Sequence, residues 1–133
     1  MSLNKVMVIG RLGRDPEMRY TPNGLPVGNF AVATYEPYVD NDSKRHERTE
    51  WHRVVVIGKL ALSCSEFLKK GRQVYVEGRL RTREFESRAG AHKQRRTEIV
   101  ATRVQFLGTP PPRTNAALEE DDLVLSANTE GSL

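Results

Sequence analysis

Apolar and polar residues alternate with period two through most of the first hundred positions, and that alternation predicts strands. The clearest case is Thr49 to Leu60, TEWHRVVVIGKL. Read as a strand, it places Trp51, Arg53, Val55, Ile57 and Lys59 on one face and His52, Val54 and Val56 on the other. One of its faces is therefore aromatic and cationic. Arg72 to Phe85, RQVYVEGRLRTREF, repeats the design, with Val74, Val76, Leu80 and Thr82 alternating against Tyr75, Glu77, Arg79, Arg81, Arg83 and Phe85. Either segment alone fits an ordinary half-buried strand with solvated arginines. Two segments of the same make favour a shared, functional surface.

The remaining elements follow in order. Asn4 to Gly13 predicts a first strand with a bend at Gly10, ended by Arg14-Asp15-Pro16 because proline cannot extend a ladder. Tyr20 to Gly24 (YTPNG) predicts a turn, and Pro26 to Tyr35 a second strand whose small residues Gly28, Ala31 and Ala33 imply close packing. Glu36 to Arg48 is polar apart from Tyr38 and Val39, and predicts a long mobile excursion before the Trp51 strand. Ala61 to Lys70 predicts a short helix with Cys64, Phe67 and Leu68 on its apolar stripe and Gly71 as its C-terminal cap. After the arginine-rich strand, Ser87 to Lys93 predicts a hairpin loop centred on Gly90. A last strand then runs from Gln94 to Leu107, with Val100, Val104 and Phe106 on one face.

Three strands, one short helix and two strands make an all-β fold, the order of the OB-fold: a five-stranded Greek-key barrel with its helix between strands 3 and 4. Gly10, Gly28, Gly58 and Gly78 stand where closure of such a barrel demands bends. From Thr109 the composition changes: TPPPRTNAAL predicts an extended linker and EEDDLVLSANTEGSL a disordered acidic tail. The expected division is a barrel over residues 1–108 and a tail over 109–133.

Charge sharpens this picture. The net charge of +4 conceals a body (1–108) with 20 Lys and Arg against 12 Asp and Glu, and a tail with one Arg against five acids. A basic body suits a polyanionic partner, and rings interleaved with cations suit a binder that stacks bases and neutralises phosphates without reading sequence. No apolar run is long enough to span a membrane. The opening MSLNKVMVIG carries no leader signal and the lone Cys64 fits a reducing compartment, so a cytoplasmic, nucleoid-associated protein is expected. His46, His52, His92 and Cys64 lack the spacing of a zinc site, and no phosphate-binding or nucleophile motif occurs, so neither cofactor, metal nor catalysis is expected.

The segments NKVMVIGRLGRDPEMRYTPNG (Asn4 to Gly24), TEWHRVVVIGKLA (Thr49 to Ala61) and FLKKGRQVYVEGRLRTR (Phe67 to Arg83) resemble the bacterial single-stranded DNA-binding protein family. The resemblance implies a homotetramer that wraps single-stranded DNA in replication, recombination and repair. It places base-stacking positions on Tyr38, Trp51, Ile57 and Phe85. Tyr38 and Phe85 stand where the family has tryptophan, and Ile57 where it has phenylalanine. Backbone-contacting cations fall on Lys5, Arg53, Lys59, Lys70, Arg81 and Arg83, with Lys44, Arg45 and Arg48 matching in character, and His52 falls on an oligomer-interface position. Glu119, Glu120, Asp121, Asp122 and Leu123 imitate the family's acidic-then-apolar tip, which docks replication and repair proteins, although no terminal phenylalanine follows. The alternative is an OB-fold adaptor in replication restart, acting mainly through protein partners.

Overall fold

A computed structural model describes residues 1–86 and 92–108. The expected hairpin loop centred on Gly90, the linker and the acidic tail with Glu119 to Leu123 lie outside the described residues. Seven elements follow in order: β1 (Val6–Leu12), β2 (Glu17–Tyr20), β3 (Pro26–Val39), β4 (Arg45–Ile57), α1 (Lys59–Phe67), β5 (Gln73–Glu86) and β6 (Lys93–Leu107). The sheet runs β1-β5-β6-β4-β3-β2, and an added β1–β3 pairing, Arg11 opposite Ala33 and Leu12 opposite Val32, closes five of these strands into a barrel. The expected OB-fold is thus observed, with β2 added on the outer edge of β3.

Closure explains the small residues in these strands. A Cβ on Gly10 would overlap the Ala33 carbonyl oxygen, and one on Gly78 the Val100 carbonyl oxygen, so side chains at either point would force the strands apart. Inside, Val8, Phe30, Val32, Val54, Val56, Val74, Val76, Val104 and Phe106 form the core, and Ala61, Cys64 and Leu68 of the helical segment close one end.

Four expectations change. The segment Glu36 to Arg48 is not an excursion: β3 and β4 stay paired out to Val39 opposite Arg45, so it forms an antiparallel arm. Its tip is held by Asp40, whose carboxylate accepts from the backbone N–H groups of Asp42 and Lys44, both at 2.9 Å. Polar composition misled here because a two-stranded arm outside the barrel has no core face to advertise. The helix starts earlier than expected, after Gly58 at φ 75°, and ends at Phe67, with Leu68 already extended; Lys59 therefore leaves the strand face and opens the helix. Leu80, expected in the core, is about half exposed: it lies two residues beyond the end of the β1–β5 pairing, at Val6 opposite Gly78. Finally, Thr102 is an extra residue in β6: the register steps from Glu77 opposite Arg103 to Gly78 opposite Ala101. Its hydroxyl donates to the Glu77 carbonyl at 3.2 Å. The bulge reverses the alternation, so Ile99 faces the core with Val104 and Phe106 while Val100 turns to the outer face.

Candidate nucleic-acid interface

Cross-strand register gathers the outer face. Ala33 lies opposite Trp51, Ala31 opposite Arg53, Asn29 opposite Val55 and Val27 opposite Ile57. Val55 pairs in parallel with Val100 of β6, and β6 pairs with β5 through Glu98 opposite Arg81, Arg96 opposite Arg83 and Gln94 opposite Phe85. Paired residues share a face, so Trp51, Arg53, Ile57, Arg81, Arg83 and Phe85 stand on one outer surface, as the two matching strands predict. Val55 and Val100 are buried yet lie outside the interior cluster, so this surface has an apolar floor of its own.

Trp51 is 56% exposed. The far edge of its indole rests on Gly13: a Cβ there would clash with Cζ3 and stand 2.6 Å from Cη2. Beside it opens a hollow of about 260 Å³ lined by Arg14, Glu17, Asn29, Phe30, Ala31, Trp51 and Arg53. A second, of about 300 Å³, lies between Arg83 of β5 and Arg19, Tyr20, Thr21 and Val27 of the β2–β3 hairpin.

The electrostatic centre is Glu98. Its side chain is fully buried although it stands on the outer face, because arginines cover it. The Arg81 Nη2 approaches Oε1 at 2.8 Å and the Arg83 Nε approaches the same oxygen at 2.7 Å. A lone carboxylate so buried would be costly; two guanidinium partners offset that cost. Around this ion pair stand Arg14, Arg53 and Arg96. Burial holds the Arg53 pKa below its ordinary value, and so do the charges of Arg96, Arg83 and Arg14, with Glu98 acting in the opposite sense. One acid thus holds two arginines in place within a group of five, and the surplus is positive.

Not every expected site residue is free on this surface, and some lie elsewhere. Phe85 shares the Trp51 face, but the Arg96 guanidinium lies over its ring, 4.6 Å from the centroid. Tyr38 pairs with His46, so strand alternation sends it to the opposite face of the arm from Trp51. There His46 stacks on it at 5.2 Å and Arg48 covers it at 4.7 Å. Ile57 is exposed at the end of β4 and Lys59 at the start of α1. Lys5 lies on the β1–β5 wall in an ion pair with Glu77 at 2.6 Å, which raises the lysine pKa and lowers that of the acid. Lys70 is exposed, and its backbone N–H donates to Asp15. His52 is half-buried, with Nε2 at 2.8 Å from the Thr34 hydroxyl.

Sequence reasoning passed over Arg14, Arg19, Arg96 and Glu98. Arg96 and Glu98 were reachable by pairing the β5–β6 hairpin residue by residue, but the uncounted bulge hid their side of the strand. Among the described residues no group of three or more His, Cys, Asp or Glu is placed to hold a metal ion, and no helix is long and apolar enough to cross a membrane.

Comparison with known proteins matches residues 3–107 to the model of the single-strand binding protein family. The single-stranded DNA-binding protein 1 of Chlorobaculum tepidum is 56% identical over 106 residues, which cover 80% of this chain and 65% of that protein. A single-stranded DNA-binding protein of Neisseria meningitidis serogroup A is 50% identical over 108 residues, covering 81% of this chain and 62% of the relative. The chain therefore spans less than two thirds of these relatives. Among solved structures, the Plasmodium falciparum SSB complex with ssDNA superposes with a TM-score of 0.75 at 35% identity, covering 81% of this chain and 97% of that one. A deletion mutant of the single-stranded DNA binding protein from Thermus aquaticus gives a TM-score of 0.69 at 33% identity, covering 80% and 51%.

Proposed function

The chain belongs to the single-strand binding protein family, and from that membership we propose that it binds and protects single-stranded DNA, whatever its sequence, in replication, recombination and repair. The observation that carries this reading is the outer face on which an exposed Trp51 and the arginine cluster around Glu98 stand together. Flat rings take bases by stacking, which every base permits, and guanidinium groups take the phosphates between them. Trp51 and Phe85 stack bases, Ile57 gives apolar contact without a ring, and Tyr38 meets the strand where it wraps the arm. Arg53, Arg81 and Arg83 line the path of the backbone, and Lys5, Lys59 and Lys70 extend it around the barrel. No step of bond making is assigned to the face, and the protein acts by binding alone. Residues 1–108 are the binding domain and 109–133 its linker and tail.

We read the assembly as a homotetramer. Met7 and Ile9 of β1 are more than half exposed side by side with Tyr75, an apolar strip that a second copy would cover. His52 belongs to the same assembly by its place in the family pattern, and the acidic tail from Glu119 to Leu123 docks replication and repair proteins. The expected compartment is the cytoplasm, at the nucleoid.

Fluorescence titration with oligo-dT and with a duplex of equal length tests the binding. Trp51 emission is quenched by the single strand and scarcely by the duplex. Log affinity falls against log salt with a slope of about −0.7 per neutralised phosphate. A response that ignores salt, or equal quenching by the duplex, refutes the proposal.

A further inference from the structure

Of the two tyrosines near the end of β3, only one shares the Trp51 face. Tyr35 lies opposite Thr49, two residues along β3 from Ala33, which lies opposite Trp51. Tyr35 and Trp51 are therefore diagonal neighbours on the same surface of the arm, a separation of about 7–8 Å that aromatic side chains span. Tyr38, at the odd step, points away, and His46 and Arg48 already stack on its ring. Among the described residues no ring or guanidinium stacks on Tyr35, which is 55% exposed. An aromatic ring more than half exposed and outside the core, beside a second ring equally exposed, is an unused stacking platform.

We propose that Tyr35 is a base-stacking residue, forming with Trp51 a two-ring platform for successive unpaired nucleobases where the strand runs from the barrel onto the arm. This rests on the single-strand-binding reading above and changes it in one respect: on this face Tyr35, not Tyr38, continues the stacking path. The neighbouring arm residues fit that path. Thr49, opposite Tyr35, is too small to block the approach of a base, and Arg53 stands two residues before the barrel end of the platform to take a phosphate.

The test is a set of single substitutions in the full chain, titrated with short oligo-dT at one salt concentration and then across a salt series. Tyr35→Ala weakens binding about five- to tenfold, the lower part of the range for losing one stacked base. Tyr35→Phe, which keeps the ring, binds like the unaltered protein. The salt slope stays the same in both, because no phosphate contact is lost. Cross-linking with a 5-iodouracil oligonucleotide, mapped by mass spectrometry, labels Tyr35; this also covers the case in which the alanine variant folds poorly. Tyr35→Ala binding at full strength while Trp51→Ala binds weakly would overturn the inference, as would a phenylalanine variant as weak as the alanine one. If Trp51→Ala and Phe85→Ala also leave binding untouched, the broader reading fails instead.

Discussion

Replacing Gly13 by alanine separates the pose of the tryptophan from the stability of the barrel. Gly13 does not sit in the left-handed region, so an L-residue meets no backbone strain there. A new Cβ would, however, stand 2.6 Å from Cη2 of Trp51 and closer still to Cζ3, where ordinary contact begins near 3.4 Å. The ring edge must then move out by about 1 Å, and the indole, half free already, swings toward solvent. The fold loses little, because the ring is at the surface, and gains about 0.4–1 kcal/mol from the lower entropy of the unfolded chain. Binding loses part of one stacking contact, which is about 1–3 kcal/mol when whole. A loss of about 1 kcal/mol corresponds to roughly a fivefold weaker Kd. Two measurements on one sample suffice: urea unfolding, and titration with oligo-dT followed by anisotropy. We expect an unchanged or raised unfolding midpoint, a red shift of Trp51 emission and a weaker Kd. A Gly13→Ala protein with unaltered emission and unaltered affinity refutes the idea that this glycine seats the ring.

Further outcomes follow from other contacts. Glu98→Gln leaves Arg81 and Arg83 without their anion among three more arginines, so stability falls by about 1–2 kcal/mol, less than for a fully buried pair because both arginines are partly exposed. Added salt narrows the gap in urea unfolding by screening the repulsion; a neutral effect at low salt would contradict it. Ile57→Phe adds a ring at an exposed position, and is expected to tighten oligo-dT binding about fivefold, from roughly 1 kcal/mol of stacking, with no change in melting temperature. Burial pushes the Cys64 thiol up to about 12 from an ordinary 9.0. The native protein should therefore resist thiol reagents at pH 8 until it is unfolded. The folded thiol holds its proton longer, so this contribution to stability is whole below about pH 9 and is lost as pH rises toward 12.

The barrel was legible because its strands are half-buried, and a buried face leaves a period of two in the chain. Trp51, Arg53, Arg81, Arg83 and Phe85 were found on one side for that reason, since their strands alternate without interruption. The arm was not legible: between Glu36 and Arg48 both faces meet water, so polar residues occur at every position and a paired ribbon looks like a loop. For the same reason the pattern gives Tyr38 no side, and its neighbours, His46 and Arg48, are set by a register that only pairing reveals. Simple alternation puts Val100 on the core face, whereas one bulged residue shifts the phase and turns it outward, and a threonine gives no composition signal for a bulge. Lys59 was misplaced by the positive φ of Gly58, which turns the chain into the helix one residue before it.

That same bulge guards the assembly of the barrel against error. If β6 slid by one place against β5 and took Thr102 into the ladder, Glu98 would point into the interior and Ile99 into water. A naked carboxylate among valines is among the least tolerable outcomes a small barrel can meet. The slipped register is therefore penalised, and the acid that gathers the arginines in the finished protein also helps to specify which residues of the two strands stand opposite each other.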